Sequence, residues 1–344
     1  MPAMDERELK KSITSKNFKN AYLIYGEEAY LKQYYSNLLA QKCVNQGMEG
    51  FNLKKLQGDT TTIDEILSTG ETLPTFSDYL CVLVNDFPLD TLTPTEKEDF
   101  ECFIKDIPET TIMIFWQGSA EINLKKNAKW RGLVELFNKY GASICFDKLD
   151  KNSLSKVLIS GATKRKCEID KVAAFYLIDM VGDDLNILQS EIDKLCNYKS
   201  EGHITKSDID IVCTKSLEAT VFDLSKMIVA GNISKAFSIL NMLLSQKEKP
   251  ELILGALISA YVDMYRVKLS LAAGEKLDYC TNFFNYKNIE FRLRNASRDA
   301  KNLTIQQLRK SLDELNKADK QIKTRVIEEK TIIEKLIIEL VRIG

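Results

Sequence analysis

The sequence predicts an α/β domain built on a parallel sheet, followed by helical domains, and three observations carry that prediction. Short apolar runs alternate with amphipathic stretches over residues 1–147. The runs are continuous rather than alternating, as in Leu80-Cys81-Val82-Leu83-Val84. That is the pattern of strands covered on both faces, and helices between such strands imply a parallel sheet. After Asp147 the strand signals stop and helical periodicity takes over, in a chain of 344 residues with only 6 prolines and 15 glycines.

The first strand is Tyr22-Leu23-Ile24-Tyr25, closed by Gly26. The helix after it places Leu31, Tyr34, Tyr35, Leu38 and Leu39 on one face. Glu27 and Glu28 stand in its first turn, where carboxylates suit the helix dipole. Residues 51–56 read as a weak strand and 63–68 as a short helix. Residues 80–84 and 112–116 are predicted strands, 97–105 and 129–140 helices, and 143–146 closes a sheet of about five strands. Beyond it, Leu154, Val157 and Leu158 open a helix. Residues 169–181 and 186–196 continue the pattern around a Gly182-Asp183-Asp184 break, and 204–213 complete a small helical unit. From Thr220 the helices lengthen. Ile233, Ala236, Phe237, Leu240 and Leu244 share one face, and Ile333, Leu336, Ile337, Leu340 and Val341 another. The expected plan is an α/β domain over 1–147, a small helical domain over 148–214 and a larger one over 215–344, a reasonable division for this length.

Charge and composition narrow the function. Lys plus Arg number 48 against 49 Asp plus Glu, a formal net charge of −1. No global field draws such a chain to DNA or to an anionic membrane, so any nucleic-acid contact must be a local patch. The cysteines at 43, 81, 102, 145, 167, 196, 213 and 280 form no CxxC pair, and His203 is the only histidine. They read as reduced, mostly buried thiols rather than a zinc site or a disulfide framework. Residues 1–19 are polar and charged, unlike a signal peptide. The longest apolar run, 252–262, is too short to cross a bilayer. The expectation is a cytoplasmic protein with no membrane contact.

The strand–glycine–helix junction invites a test for a nucleotide site. A P-loop needs glycines so that backbone N–H groups wrap the phosphates, a Lys for the terminal phosphates and a Ser or Thr for magnesium. Gly26-Glu27-Glu28-Ala29-Tyr30-Leu31 has one glycine, no lysine and no aliphatic hydroxyl, and two carboxylates stand where phosphate oxygens would go. The GxGxxG fingerprint of dinucleotide sites is also missing. Val82-Leu83-Val84-Asn85-Asp86 ends in an aspartate as a magnesium-binding strand would, but without a phosphate cradle Asp86 reads as a turn or cap residue. His203 lies in Glu201-Gly202-His203-Ile204-Thr205, read as a polar loop, and no GxSxG elbow exists. The expectation is a protein without a catalytic site, cofactor or metal of its own, acting by binding other macromolecules. The alternative is an NTPase with an atypical nucleotide site, against which the missing Lys and hydroxyl count.

Basic residues cluster in three places. Lys125, Lys126, Lys129 and Arg131 follow the 112–116 strand at the C-terminal edge of the expected sheet, Arg292, Arg294, Arg298 and Lys301 form a second group, and Lys164-Arg165-Lys166 a third. The first two are candidates for phosphate contact, and the bland reading of each is a solvated face.

The order of elements, with particular residues, resembles the delta subunit family of the bacterial DNA polymerase III clamp loader. The likeness rests on Ala21-Tyr22-Leu23-Ile24-Tyr25-Gly26-Glu27-Glu28, on Glu71-Thr72-Leu73-Pro74-Thr75-Phe76, on Gly182-Asp183-Asp184-Leu185-Asn186-Ile187-Leu188 with Glu191 and Leu195, and on Val221-Phe222-Asp223-Leu224. The resemblance implies an AAA+-like α/β domain without a P-loop (1–147), a helical lid (148–214) and a C-terminal helical collar (215–344). It implies a non-ATPase subunit that binds the ring-shaped sliding clamp and helps open it. The implied partners are that clamp (the beta subunit), the clamp-loader ATPase subunits and delta-prime, and primed DNA through the assembled complex.

The resemblance also points to a clamp-binding segment. Pro74 is expected to end the helix begun near Ile63, because it cannot donate a backbone hydrogen bond and disfavours helix at the residue before it. The segment is then a surface turn, and Leu73 and Phe76 match the apolar residues that the family inserts into a pocket on the clamp. Thr75 departs from the family pattern, which has a large apolar residue there. Lys125, Lys126, Lys129 and Arg131 are the expected DNA contacts.

Overall fold

The computed structural model describes residues 3–119, 122–284, 286, 290–324 and 328–344. They divide into two compact units, Met1–Lys148 and Leu149–Gly344.

The first unit is a five-stranded parallel sheet: β1 (Ala21–Tyr25), β2 (Leu53–Gln57), β3 (Leu80–Asn85), β4 (Thr111–Trp116) and β5 (Ala142–Cys145), in the spatial order β2-β3-β4-β1-β5. The three inner strands are buried along nearly their whole length, as continuous apolar runs require. On one face Leu23, Val82, Met113 and Phe115 pack with Phe100 and Phe137. The rings of Phe100, Phe115 and Phe137 meet pairwise at centroid separations of 5.5 to 6.2 Å, in T-shaped and tilted arrangements that suit aromatic quadrupoles. The opposite face packs under helix Ala29–Cys43. At the sheet edge, β2 reads Leu-Lys-Lys-Leu-Gln and is half exposed, with its lysines guarding an unpaired strand edge.

Gly26 fixes the exit from β1. Its φ is +120°, and a Cβ there would lie 2.3 Å from the Phe146 carbonyl oxygen. That oxygen accepts a hydrogen bond from the Glu28 N–H at 2.8 Å, and the Phe146 N–H donates to Tyr25 at 2.8 Å. The turn after β1 is thus laced to the chain leaving β5.

The second unit opens with helices Lys151–Lys164, Lys171–Val181, Leu185–Lys199 and Lys206–Val212. Longer helices follow, Leu217–Val229, Ile233–Ser245, Pro250–Ala272, Ile305–Thr324 and Glu329–Ile343 among them, around an apolar core that runs from Val221 to Leu340. Asp263 is buried in this part and is satisfied by the Tyr286 hydroxyl at 2.5 Å and the Arg292 guanidinium at 2.7 Å. A carboxylate placed there must be paired to be tolerated. Among the described residues no helix is long and apolar enough to cross a membrane.

Several expectations are corrected. Strand signals do not stop at Asp147: β6 (Cys167–Ile169) and β7 (Gly202–Ile204) pair in parallel, and His203 lies in β7 rather than in a loop. Three residues per strand carry too little periodicity to read. Residues 51 and 52 belong to a short helix, Glu49–Asn52, and not to β2. Helix Glu6–Ser15 precedes β1, anchored by the buried Leu9 and Ile13 at helical spacing. The helix begun at Ile63 stops at Gly70, four residues before Pro74. A Cβ at Gly70 would sit 2.5 Å from the Phe103 ring, and the Glu71 N–H closes the last turn on Leu67 at 3.1 Å. Tyr34 and Ile233 are exposed although Leu31, Tyr35 and Leu39 on the one face, and Ala236 and Leu240 on the other, are buried, and Cys145 is exposed at the end of β5.

Replacing Gly26 by Ala forces a side chain into the Phe146 backbone at an unfavourable φ. The substitution should destabilise the protein by about 2–4 kcal/mol in urea unfolding. Unchanged stability would show that the β1 exit is not held this way.

Candidate functional site

In a parallel sheet one edge collects all the strand starts and the other all the strand ends. The segment 71–79 leads into the start of β3. The pairing of Leu53 with Cys81 sets Asn52 beside Leu80, so the short helix before β2 and the segment before β3 share that edge. Within the segment Leu73 is 79% exposed and Phe76 87% exposed, and Thr75 is exposed between them. Neither apolar side chain packs beneath the following strand; both stand in water.

This segment is held rather than loose. The buried side chain of Asn52 meets the backbone of Thr75 twice: its Nδ2 donates to the Thr75 carbonyl at 2.7 Å and its Oδ1 accepts from the Thr75 N–H at 2.6 Å. One amide side chain thereby does the work of a strand neighbour. The Ser77 hydroxyl accepts from the Asn45 N–H at 3.3 Å, and the Thr72 hydroxyl donates to the Thr69 carbonyl at 2.8 Å. Tyr79 packs edge-on against Phe18, with centroids 5.9 Å apart. Phe76 itself sits at φ +53°, a left-handed conformation that costs a bulky L-residue roughly 1–2 kcal/mol. Such a conformation persists only where its surroundings fix it. With the Thr75 backbone clamped, the strain presents the ring to solvent.

The opposite edge is where doubly wound sheets bind nucleotides. Here the Gly26–Glu28 turn lies against the Phe146 carbonyl. The Glu28 carboxylate caps the following helix through the Tyr30 N–H at 3.3 Å. Lys32, only 2% exposed, donates its amine to the carbonyls of Gln117 at 2.7 Å and Gly118 at 3.0 Å, just past β4. Burial pulls its pKa down, and the charges of Asp86 and Glu28 oppose that pull. Asp86 accepts from the Ser119 N–H at 2.9 Å and the Ser119 hydroxyl at 2.7 Å, so it works as a turn residue.

Lys125, Lys126, Lys129 and Arg131 are exposed at this same edge, far along the strands from Leu73 and Phe76. Asn123 shapes the turn by accepting from the Lys125 N–H at 3.0 Å, and Asn127 caps the helix that carries Lys129 and Arg131. Lys129 is partly committed: its amine donates to the Asp90 carbonyl at 2.7 Å. In each of the other basic groups at least one residue is paired with a carboxylate. Arg292 is paired with the buried Asp263, which corrects its reading as a phosphate contact, and Arg165 pairs with Asp193.

A five-stranded parallel sheet in this order, followed along the chain by a mostly helical unit, defines a mixed α/β protein. Two family descriptions then cover most of it: "DNA polymerase III, delta subunit" matches residues 22–145, and "DNA polymerase III delta subunit, C-terminal domain" matches residues 218–340. The chain belongs to the DNA polymerase III delta subunit family. It is 23% identical over 339 residues to the DNA polymerase III subunit delta of Bacillus subtilis, covering 96% of each chain. It is 22% identical over 303 residues to the probable DNA polymerase III subunit delta of Aquifex aeolicus, covering 83% of each. The solved Bacillus subtilis DNA clamp loader delta protein (YqeN) shares the fold, with a TM-score of 0.68 at 22% identity over 98% of this chain and 99% of that one.

Asn52 was not readable as a site residue: its partner lies 23 positions away and no short motif joins them. Two substitutions separate holding from presenting. Asn52→Ala removes the two part-buried hydrogen bonds to Thr75 and a third to the Met48 carbonyl, and should cost about 1–3 kcal/mol, with faster amide exchange across residues 75–77. Phe76→Gly relieves the left-handed strain and buries nothing less, so its unfolding midpoint should not fall. A drop of more than about 1 kcal/mol in that variant would assign Phe76 to the core.

Proposed function

We propose that this chain is the clamp-binding, non-hydrolysing delta subunit of a DNA polymerase III clamp loader. In this reading Leu73 and Phe76 enter an apolar pocket on the sliding clamp, Thr75 contributes a smaller contact between them, and binding helps to open one interface of the ring. The single observation that carries it is the exposed Leu73–Phe76 pair on a segment clamped by Asn52. An interface anchor presented in a fixed geometry loses little ordering entropy on binding.

ATP is left to partner subunits. The closed turn at Gly26, the paired carboxylates after it and the engaged Lys32 amine support this, since a phosphate needs free N–H donors and a cationic reach. Residues 148–214 would serve as the lid and 215–344 as the collar that joins the ATPase subunits and delta-prime. Lys125, Lys126, Lys129 and Arg131 would meet the backbone of primed DNA in the assembled complex, a screened and salt-dependent contact. The working compartment in this reading is the cytoplasm.

An aromatic anchor is typically worth about 2 kcal/mol or more on truncation. Phe76→Ala should therefore weaken binding to the cognate clamp by at least about 30-fold, while the melting temperature stays within about 1 °C. Unchanged affinity in a folded variant would place the anchor elsewhere.

A further inference from the structure

We infer that the clamp-docking surface does not end at the 71–79 segment but continues onto the short helix Glu49–Asn52, with Phe51 as a third apolar contact. This rests on the reading of Leu73 and Phe76 as the anchor. Phe51 is 64% exposed and lies outside the weak strand in which it was expected. It immediately precedes Asn52, whose side chain is buried against Thr75. The parallel register sets Leu53 beside Cys81, so the short helix that carries Phe51 enters β2 at the same edge where the 71–79 segment enters β3. A second strut, from the Asn45 N–H to the Ser77 hydroxyl at 3.3 Å, fixes the other end of the 45–52 stretch to the segment. The two pieces are therefore one rigid surface carrying three large exposed apolar side chains.

Packing gives Phe51 no reason to be aromatic. Its ring contributes little to the core, and its N–H is spent on the Met48 carbonyl at 3.2 Å. A phenylalanine left in water beside an anchor pair fits a partner with an extended apolar groove rather than a single pocket. Anchors in protein interfaces cluster in this way, ringed by weaker contacts that exclude water. The occupant is the one that the neighbouring segment takes: the apolar docking groove of the sliding clamp.

The test uses the full chain and its cognate clamp, with Kd measured by titration for Phe51→Ala, Phe76→Ala and Phe283→Ala. Phe283 is 65% exposed in the second unit and serves as the control. Phe51→Ala should weaken binding about 5-fold or more with an unchanged melting temperature, and Phe283→Ala should bind as the parent does. In the parent protein, amide exchange of residues 49–52 should slow on adding clamp, a readout that depends on no variant. Wild-type affinity in Phe51→Ala with no slowing at 49–52, while Phe76→Ala loses binding, overturns the extension and leaves the anchor standing. Wild-type affinity in Phe76→Ala overturns both.

Discussion

The parallel pairing of β2 with β3 is the constraint on which the candidate site depends. Because the two strands run in the same direction, the chain segments entering them must arrive at the same sheet edge. The register then sets Asn52 beside the start of β3, where its amide spans the backbone of Thr75. Two hydrogen bonds, each worth about 1 kcal/mol net, hold a segment that otherwise has no secondary structure. They also offset a strain of similar size at Phe76. Without that match a left-handed phenylalanine would relax, and its ring would lose its fixed direction.

The two edges of the sheet are put to different uses. At the strand ends, where related architectures hold nucleotides, this chain packs backbone against backbone at Gly26 and Phe146 and spends a buried lysine on two carbonyls. Those contacts tie β1, β4 and β5 together. At the strand starts the chain leaves apolar side chains in water.

Much of this was legible in the sequence, for physical reasons. β1, β3 and β4 are covered on both faces, so their apolar runs are continuous and unmistakable. β2 is an edge strand, Leu-Lys-Lys-Leu-Gln, with no clean alternation, and Phe51 was drawn into it because an aromatic residue beside a strand resembles strand. The three-residue β6 and β7 are too short to show a period. Leu73 and Phe76 stood out as apolar residues around a proline, yet the helix before them ends at Gly70, four residues ahead of that proline, with the Glu71 N–H closing its last turn on Leu67. The clamp on Thr75 and the left-handed φ of Phe76 are tertiary facts. No local pattern encodes a partner 23 residues away.

The central claim is that this chain holds the clamp by itself, through a preformed surface and without nucleotide. The most direct measurement is a titration of the isolated full-length chain with its cognate sliding clamp, with and without magnesium and ATP. The account predicts saturable one-to-one binding with the same Kd in both conditions. Binding that appears only with ATP, or no binding by the isolated chain, would contradict it.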